Sequence, residues 1–462
     1  LCMKKTRFFY GTNCLLLAFL GWGILFNTAL EKQILQDGNM QSSDMHSSDM
    51  QSDGVQSDDT QSNHMQSDDM RANATQTDDV QTSDMRDENM EISEKNGAEE
   101  GKTTPKKIRV LLMDSGYRSY EHAEVSGVCK GKVFSYTADS QEFESGPVTL
   151  NGGKKGIEVT SIERQCGNPV YYGKLELIRN GESLNLINEL SLEEYLKGVV
   201  PSEMPPSYEE QALMAQAVCA RTYAWKQMQG EGVSGYPADV DDSVSYQVYG
   251  NIQPQESTSE AVEETKGLIL TREGEPIEAY YFSTSAGATS TDEIWGAEEA
   301  APYLKSVVCE FDENSPWREW KVTIPWENLQ QKVSERTGTQ EKLLSVEVVR
   351  KNESGAAISL QVVTESGDFS VDQEYEIRKL LSPQGCTITE KDGTETDGGS
   401  LLPSAYFTLK QKKGESVEVT GGGYGHGVGM SQTAANEMAK EAYSFEEILK
   451  YFFNGITIES MV

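Results

Sequence analysis

Hydrophobic positions divide the chain into five stretches. Residues 13–30, Asn13-Cys-Leu-Leu-Leu-Ala-Phe-Leu-Gly-Trp-Gly-Ile-Leu-Phe-Asn-Thr-Ala-Leu30, are mostly apolar and uncharged. As a helix they span about 27 Å, the thickness of a bilayer core. Residues 36–90 hold one Met or Val per five residues among Asp, Ser and Gln, as in Gln41-Ser-Ser-Asp-Met45 and Gln81-Thr-Ser-Asp-Met85. That density cannot bury a core and predicts a disordered tether, not a solenoid. From Lys106 alternation and short apolar runs predict strands at 108–113, 125–128, 131–136, 157–161 and 171–179, with turns at Asn151-Gly-Gly and Asn180-Gly. Between 191 and 228 the period changes to that of helices, and beyond 228 strands and helices mix.

The helical stretch is the most informative. Ser191 and Glu194 predict a capping box, and Pro201 is expected to end the first helix. Ser207 and Glu210 predict a second box. Ala212, Ala215, Cys219 and Thr222 form a small-residue stripe that should meet a close neighbour. Between the helices Glu203 stands among Pro201, Pro205 and Pro206. A carboxylate held so rigidly suits acid/base catalysis. Further on, helices are expected at 257–266, 326–337, after Ser431 and after Ser444, where Glu447 completes a third box. Strands at 267–271 and 277–283 should form a hairpin around Glu273-Gly274, further strands are expected at 344–350, 357–364 and 417–420, and 393–400 reads as a loop.

The net charge of −34 argues against nucleic acid as a partner. Lys4, Lys5 and Arg7 precede the apolar segment, which predicts a cytoplasmic N-terminus and an extracytoplasmic remainder. No A-x-A site follows, so an uncleaved anchor is expected. Seven cysteines include no CxxC pair and no zinc-like cluster. The loop Gly421-Gly-Gly-Tyr-Gly-His426-Gly-Val-Gly-Met-Ser431-Gln432 is followed by no Gly-Lys-Ser/Thr and so is not a phosphate loop.

Leu192 to Trp225, with LEEYLKGVVPSEMP and ALMAQAVCARTYA, resembles the signature of the stage II sporulation protein D (SpoIID) family and its amidase-enhancer relatives. Further elements are similar to that family's boxes: Gln247-Val-Tyr249, Ser283-Thr-Ser285-Ala-Gly287-Ala-Thr289, Trp295-Gly, Tyr303-Leu-Lys305-Ser-Val, and Gly425-His426-Gly-Val-Gly-Met-Ser431-Gln432. The resemblance implies a peptidoglycan lytic transglycosylase acting in sporulation and engulfment. Its glycan strands, of N-acetylmuramic acid and N-acetylglucosamine, would already be stripped of stem peptides by an amidase partner. Glu203 would be the catalyst. Substrate contacts would come from Arg221, Gln247, Tyr249, Ser283, Ser285, Lys305, His426, Ser431 and Gln432. The glycines of the 421–429 loop would let main chain approach the glycan. Arg221 would pair with Glu203 or with another carboxylate. Some relatives bind zinc near the Ser283 box; this run has no Cys or His, so neither metal nor cofactor is expected, with Cys309 the residue to watch.

The expected architecture is α+β, with β-rich lobes around a central helical catalytic core. Residues 1–30 form a stub and transmembrane anchor, 31–105 a disordered acidic linker, and 106–462 the extracytoplasmic domain. The latter divides into a β lobe (106–190), a helical core (191–310), a β insertion (311–420) and the glycine-rich loop with terminal helices (421–462). The localisation implied is a membrane facing the septal or forespore space. Two alternatives stay open: a hydrolase of the same bond with Glu193, Glu194 or Asp242 as second acid, and a non-catalytic wall-binding or amidase-activating module.

Overall fold

The computed structural model describes residues 106–461. The expected anchor at 13–30 and the repeats at 36–90 lie outside the described residues. Among the described residues no helix is long and apolar enough to cross a membrane.

The first lobe contains β1 (Lys107–Leu112), β2 (Glu124–Cys129), β3 (Lys132–Thr137), β4 (Val148–Val159), β5 (Val170–Asn180) and β6 (Ser183–Ser191). With β7 (Val240–Asp241) they form one sheet in the order β3-β2-β4-β5-β6-β1-β7. Only β1 and β7 run parallel in it. Ile108, Val110 and Leu112 point into the main core of this lobe, while Leu111 meets Ile187, Val233 and Ala238 on the other face. That two-sided burial explains the unbroken apolar run. Asn180-Gly181 makes the expected turn, with Gly181 at φ 60°. Asn151-Gly-Gly does not reverse the chain. It lies inside β4, where the pairing with β5 slips between Asn151 and Ile157, so these glycines make an irregular bulge.

Helix α1 (Leu192–Glu203) starts without a loop after β6. Ser191 caps it by accepting from the Glu194 amide at 3.3 Å, but the Glu194 carboxylate turns to Lys197, so half of the box forms. Pro201 does not end the helix; it sits inside the last turn, which continues to Glu203. Near the end of a helix a proline removes one amide donor and has little helix beyond it to displace. The Ser202 hydroxyl donates to the Gly198 carbonyl in the same turn, at 2.7 Å.

Helix α2 (Glu210–Gln227) begins without the box expected of Ser207 and Glu210. Its N-cap is Glu209, whose amide donates to Asn436 Oδ1 at 2.8 Å, so a distant side chain replaces a local one. Ala217, Ala220 and Ala224 join the core of the first lobe, whereas Ala212, Ala215, Val218 and Cys219 join a second core. The stripe of Ala212, Ala215 and Cys219 therefore faces the second core while the opposite side of α2 faces the first, which makes α2 the spine of the domain. Helix α3 (Glu256–Glu264) buries Ala261, Val262 and the following Thr265 as expected. The hairpin β8 (Leu268–Arg272) and β9 (Glu275–Pro276) turns through Glu273 and Gly274, both at positive φ. The expected strand at 277–283 shortens to β10 (Tyr281–Phe282).

An insertion with its own core follows. It comprises β11 (Trp320–Pro325), α4 (Trp326–Thr337), β12 (Leu343–Lys351), β13 (Ala357–Thr364), β14 (Asp368–Asp372), α5 (Glu374–Leu380), β15 (Thr387–Glu390), β16 (Glu395–Asp397), β17 (Phe407–Lys412) and β18 (Ser416–Gly421). These strands make sheets β16-β15-β11-β18-β17 and β12-β13-β14. The stretch read as a loop at 393–400 thus contains β16, and α5 has no expected counterpart. The chain then returns through β19 (Met430–Ser431), α6 (Gln432–Lys440), α7 (Phe445–Phe452) and β20 (Thr457–Ser460). Ser431 caps α6, and the Ser444–Glu447 box forms completely at α7. β19 runs parallel to β10, and β20 closes onto β8, so the segments on either side of the insertion share the second core. The five cysteines among the described residues are unpaired.

Candidate active site

Glu203 ends α1 at the meeting point of α1, the 242–250 loop, β10 and α6. It is 7% exposed. One carboxylate oxygen accepts from the Val248 amide at 2.7 Å. The Tyr281 hydroxyl lies close enough to the carboxylate to favour its ionised form. Tyr281 in turn accepts from Gln247 Nε2 at 3.0 Å, and Gln247 Oε1 accepts from the Tyr195 hydroxyl at 3.4 Å. The backbone carbonyl of Glu203 accepts from Gln432 Nε2 at 3.1 Å. Among the described residues no cation pairs with this carboxylate. Burial raises its pKa from 4.5 to about 7, against the opposing pull of the Val248 and Tyr281 donors. Such a group is ready to give and take a proton near neutrality.

Arg221 is far from this role. It is fully buried and pairs with Glu193 at 2.8 Å, while also donating to the carbonyls of Val262 and Leu268. The reading of Arg221 as a substrate contact is corrected: it ties α1, α2, α3 and β8 together. Tyr249 is corrected likewise. Its hydroxyl donates to Asn188 Oδ1 at 2.7 Å, and its ring packs on Tyr195 and Tyr171. Gln247 is buried as well, but it reaches the site through Tyr281.

Ser285 and Ser431 converge on Asp312, a buried carboxylate that sequence reasoning missed. Asp312 Oδ2 accepts from the Ser285 amide and the Ser431 hydroxyl, each at 2.8 Å, and from the Cys309 thiol at 3.4 Å. Cys309 is thereby engaged with a carboxylate, and among the described residues no group of three or more His, Cys, Asp or Glu side chains is arranged to hold a metal. Ser283 is partly exposed and gives its carbonyl to the Thr433 amide at the start of α6. Lys305 is exposed.

His426 does not touch Glu203. Its Nε2–H donates to the Tyr281 carbonyl at 3.0 Å, and its Nδ1 accepts from the Val428 amide at 3.1 Å. Both ring nitrogens are thus committed in one neutral tautomer. Burial lowers its pKa from 6.5 to about 4. Its ring packs against Trp295, Phe282 and Tyr280. His426 therefore holds the main chain of Tyr281, whose hydroxyl favours the ionised form of Glu203.

The glycines of the 421–429 loop serve close packing within the protein, a correction to the expectation that they make room for glycan. A Cβ on Gly429 would lie 2.0 Å from the Tyr280 carbonyl oxygen, and one on Gly423 2.9 Å from the Ala286 amide. The loop lies against the 280–286 segment, and the insertion holds its other side. The Trp320 indole donates to the Gly423 carbonyl at 3.0 Å, and Trp317 packs on Tyr424 with ring centres 4.6 Å apart.

The three carboxylates considered as a second acid are engaged elsewhere. Glu193 binds Arg221, Glu194 binds Lys197, and Asp242 forms a fully buried pair with Arg164 at 2.6 Å.

Residues 180–272 match the family model described as "Stage II sporulation protein". Residues 298–429 match a domain of unknown function, DUF8618. The chain is 33% identical over 333 residues to stage II sporulation protein D of Bacillus subtilis, covering 69% of this chain and 86% of that one. It is 32% identical over 290 residues to an uncharacterized protein of Brachyspira hyodysenteriae, covering 62% and 72% respectively. It is also 30% identical over 297 residues to the amidase enhancer of Bacillus subtilis, covering 57% of this chain and 40% of that one. With the motif run of 192–225 and this extent of likeness, the chain belongs to the stage II sporulation protein D family.

Proposed function

We propose that this protein is a lytic transglycosylase of peptidoglycan with Glu203 as its one acid/base group. The observation that carries the reading is a buried carboxylate with a pKa near 7 and, among the described residues, no cation beside it. Glu193, Glu194 and Asp242 are each neutralised by their own partner, which favours this reading over a two-carboxylate hydrolase. The protonated Glu203 donates to the glycosidic oxygen between N-acetylmuramic acid and N-acetylglucosamine as the C1–O bond breaks. The carboxylate then takes the proton of the muramyl C6 hydroxyl, and O6 bonds C1 to close the 1,6-anhydro ring. The catalyst ends protonated and no water is consumed. Tyr281 stabilises the carboxylate form between the two steps, and the Val248 amide fixes its orientation.

By the family's resemblance, the substrate is glycan free of stem peptides, supplied by an amidase partner during sporulation. The 13–30 segment would anchor the enzyme in the membrane facing the septal space, with residues 31–105 as a spacer. The experiment is mass spectrometry of products from peptide-free glycan, with Glu203→Gln as control. Release of 1,6-anhydromuramyl ends by the wild type alone is expected. Reducing-end products, or equal release by the variant, would overturn the mechanism.

A further inference from the structure

In this acidic chain several exposed lysines sit beside a carboxylate, as Lys266 does with Glu263, Lys342 with Glu365 and Lys440 with Glu437. Lys130, Lys132, Lys154 and Lys155 are different. All four are exposed, and among the described residues none has a carboxylate within ion-pair distance.

The first lobe gathers these four charges. Lys130 and Gly131, at φ 51° and 76°, make the two-residue turn between β2 and β3, and Lys132 opens β3 opposite Cys129. Lys154 and Lys155 form the tip of the bulge inside β4. A Cβ on Gly152 would lie 2.6 Å from the carbonyl carbon of Gly156, so the two ends of the bulge touch and its tip projects from the ladder. Cys129 connects the two projections. Its backbone pairs with Ile157 on one side of the bulge, and its thiol donates to the Asn151 carbonyl on the other at 3.6 Å. The turn and the bulge therefore adjoin, with two lysines on each.

An apolar side chain stands beside them. Val133 follows Lys132 on β3, the edge strand of the sheet, and is 83% exposed. Its neighbour across the ladder is Val128, also partly exposed. Glu158, opposite Val128 on β4, accepts from Asn168 at 3.4 Å.

Ammonium groups around a bare valine fit the interface of an anionic bilayer, where lysines meet lipid phosphate and an apolar side chain enters the headgroup layer. A soluble polyanion would use the charges and leave Val133 in water. We propose that the β2–β3 turn and the β4 bulge dock the first lobe onto an anionic lipid surface. The acidic remainder of a chain of net charge −34 is repelled by that surface, so docking also orients the domain. None of these residues touches the Glu203 site, and the proposal stands apart from the cleavage reading.

The test reconstitutes the full chain into vesicles of phosphatidylcholine, alone or with about a third phosphatidylglycerol, and follows hydrogen exchange by mass spectrometry. The 13–30 segment is present in both samples and does not distinguish them. Amides of the 128–135 and 152–156 segments should exchange about tenfold more slowly on the anionic vesicles, the attraction of one to two lysines. The difference should vanish at about 0.5 M salt. Changing Lys130, Lys132, Lys154 and Lys155 together to Gln should abolish it, with the melting temperature and the cleavage of soluble glycan unchanged. Val133→Ser should reduce it. Equal exchange on the two kinds of vesicle would overturn the proposal. So would equal protection of the neutral-vesicle sample by soluble poly(glycerol phosphate) together with no effect of Val133→Ser, which would assign the lysines to a wall polymer.

Discussion

Replacing the catalyst should make the protein more stable, and by an amount that depends on pH. The carboxylate of Glu203 has its pKa raised from 4.5 to about 7 by burial. Between these values the folded protein holds a proton that the unfolded chain has released. Native stability therefore falls as pH rises through that window, and the loss is complete above about pH 7. Every tenfold weakening of the acid corresponds to about 1.4 kcal/mol, so ionising Glu203 in place costs on the order of 3 kcal/mol. Gln is neutral at every pH and keeps an oxygen to accept from the Val248 amide. At pH 8 Glu203→Gln should be stabilised by about 2–3 kcal/mol, and at pH 4 the two proteins should agree within about 1 kcal/mol. For a domain of this size the pH 8 gain corresponds to a melting temperature roughly 3–4 °C higher. Calorimetric melts of both proteins from pH 4 to pH 8 measure this, and cleavage by the variant should drop about a hundred- to ten-thousand-fold. A gap that does not change with pH, or a variant less stable at pH 8, would mean that Glu203 is an ordinary ionised carboxylate held for structure. The acid/base reading would then fall.

Tyr281→Phe removes a donor to the ionised form, so Glu203 should titrate higher still. The alkaline limb of the pH–rate profile should move up and the rate drop about tenfold; a limb that stays in place contradicts the contact. Arg221→Met leaves Glu193 without its partner and should cost about 3–5 kcal/mol in urea unfolding, with cleavage per folded molecule unchanged, since Arg221 touches only the scaffold. Gly429→Ala places a Cβ 2.0 Å from the Tyr280 carbonyl oxygen at φ 81°, and should cost about 2 kcal/mol or more; an unchanged melt would contradict the close packing. His426, with its pKa lowered to about 4, should stay neutral by NMR at pH 5.5. The unfolded chain protonates first as pH falls from 6.5 toward 4, so this residue withdraws stability over that range.

Part of this protein is determined locally. The apolar and polar rhythm identifies β1, β2, β3, β5 and the end of β4 in the first lobe, though not β6, together with the span of α2 and the hairpin at Glu273-Gly274, because burial on one or two faces leaves a period in the sequence. Ser431 and Ser444 behave as caps because a cap needs only neighbours a turn away. Glu203 stands out through its prolines and its motif. Tertiary structure decided the rest. Ser207 loses its capping role to Asn436, more than two hundred residues later, and Pro201 is carried inside the helix it was expected to end. Arg221 and Tyr249 carry motif positions but are spent on packing, and nothing in their spacing distinguishes a buried ion pair from a substrate contact. Tyr281 and Val248 reach Glu203 from separate segments, while Asp312 draws in Ser285, Cys309 and Ser431. Such convergence leaves no period in a chain, because it is created only when distant elements share one core and their polar atoms must find partners there.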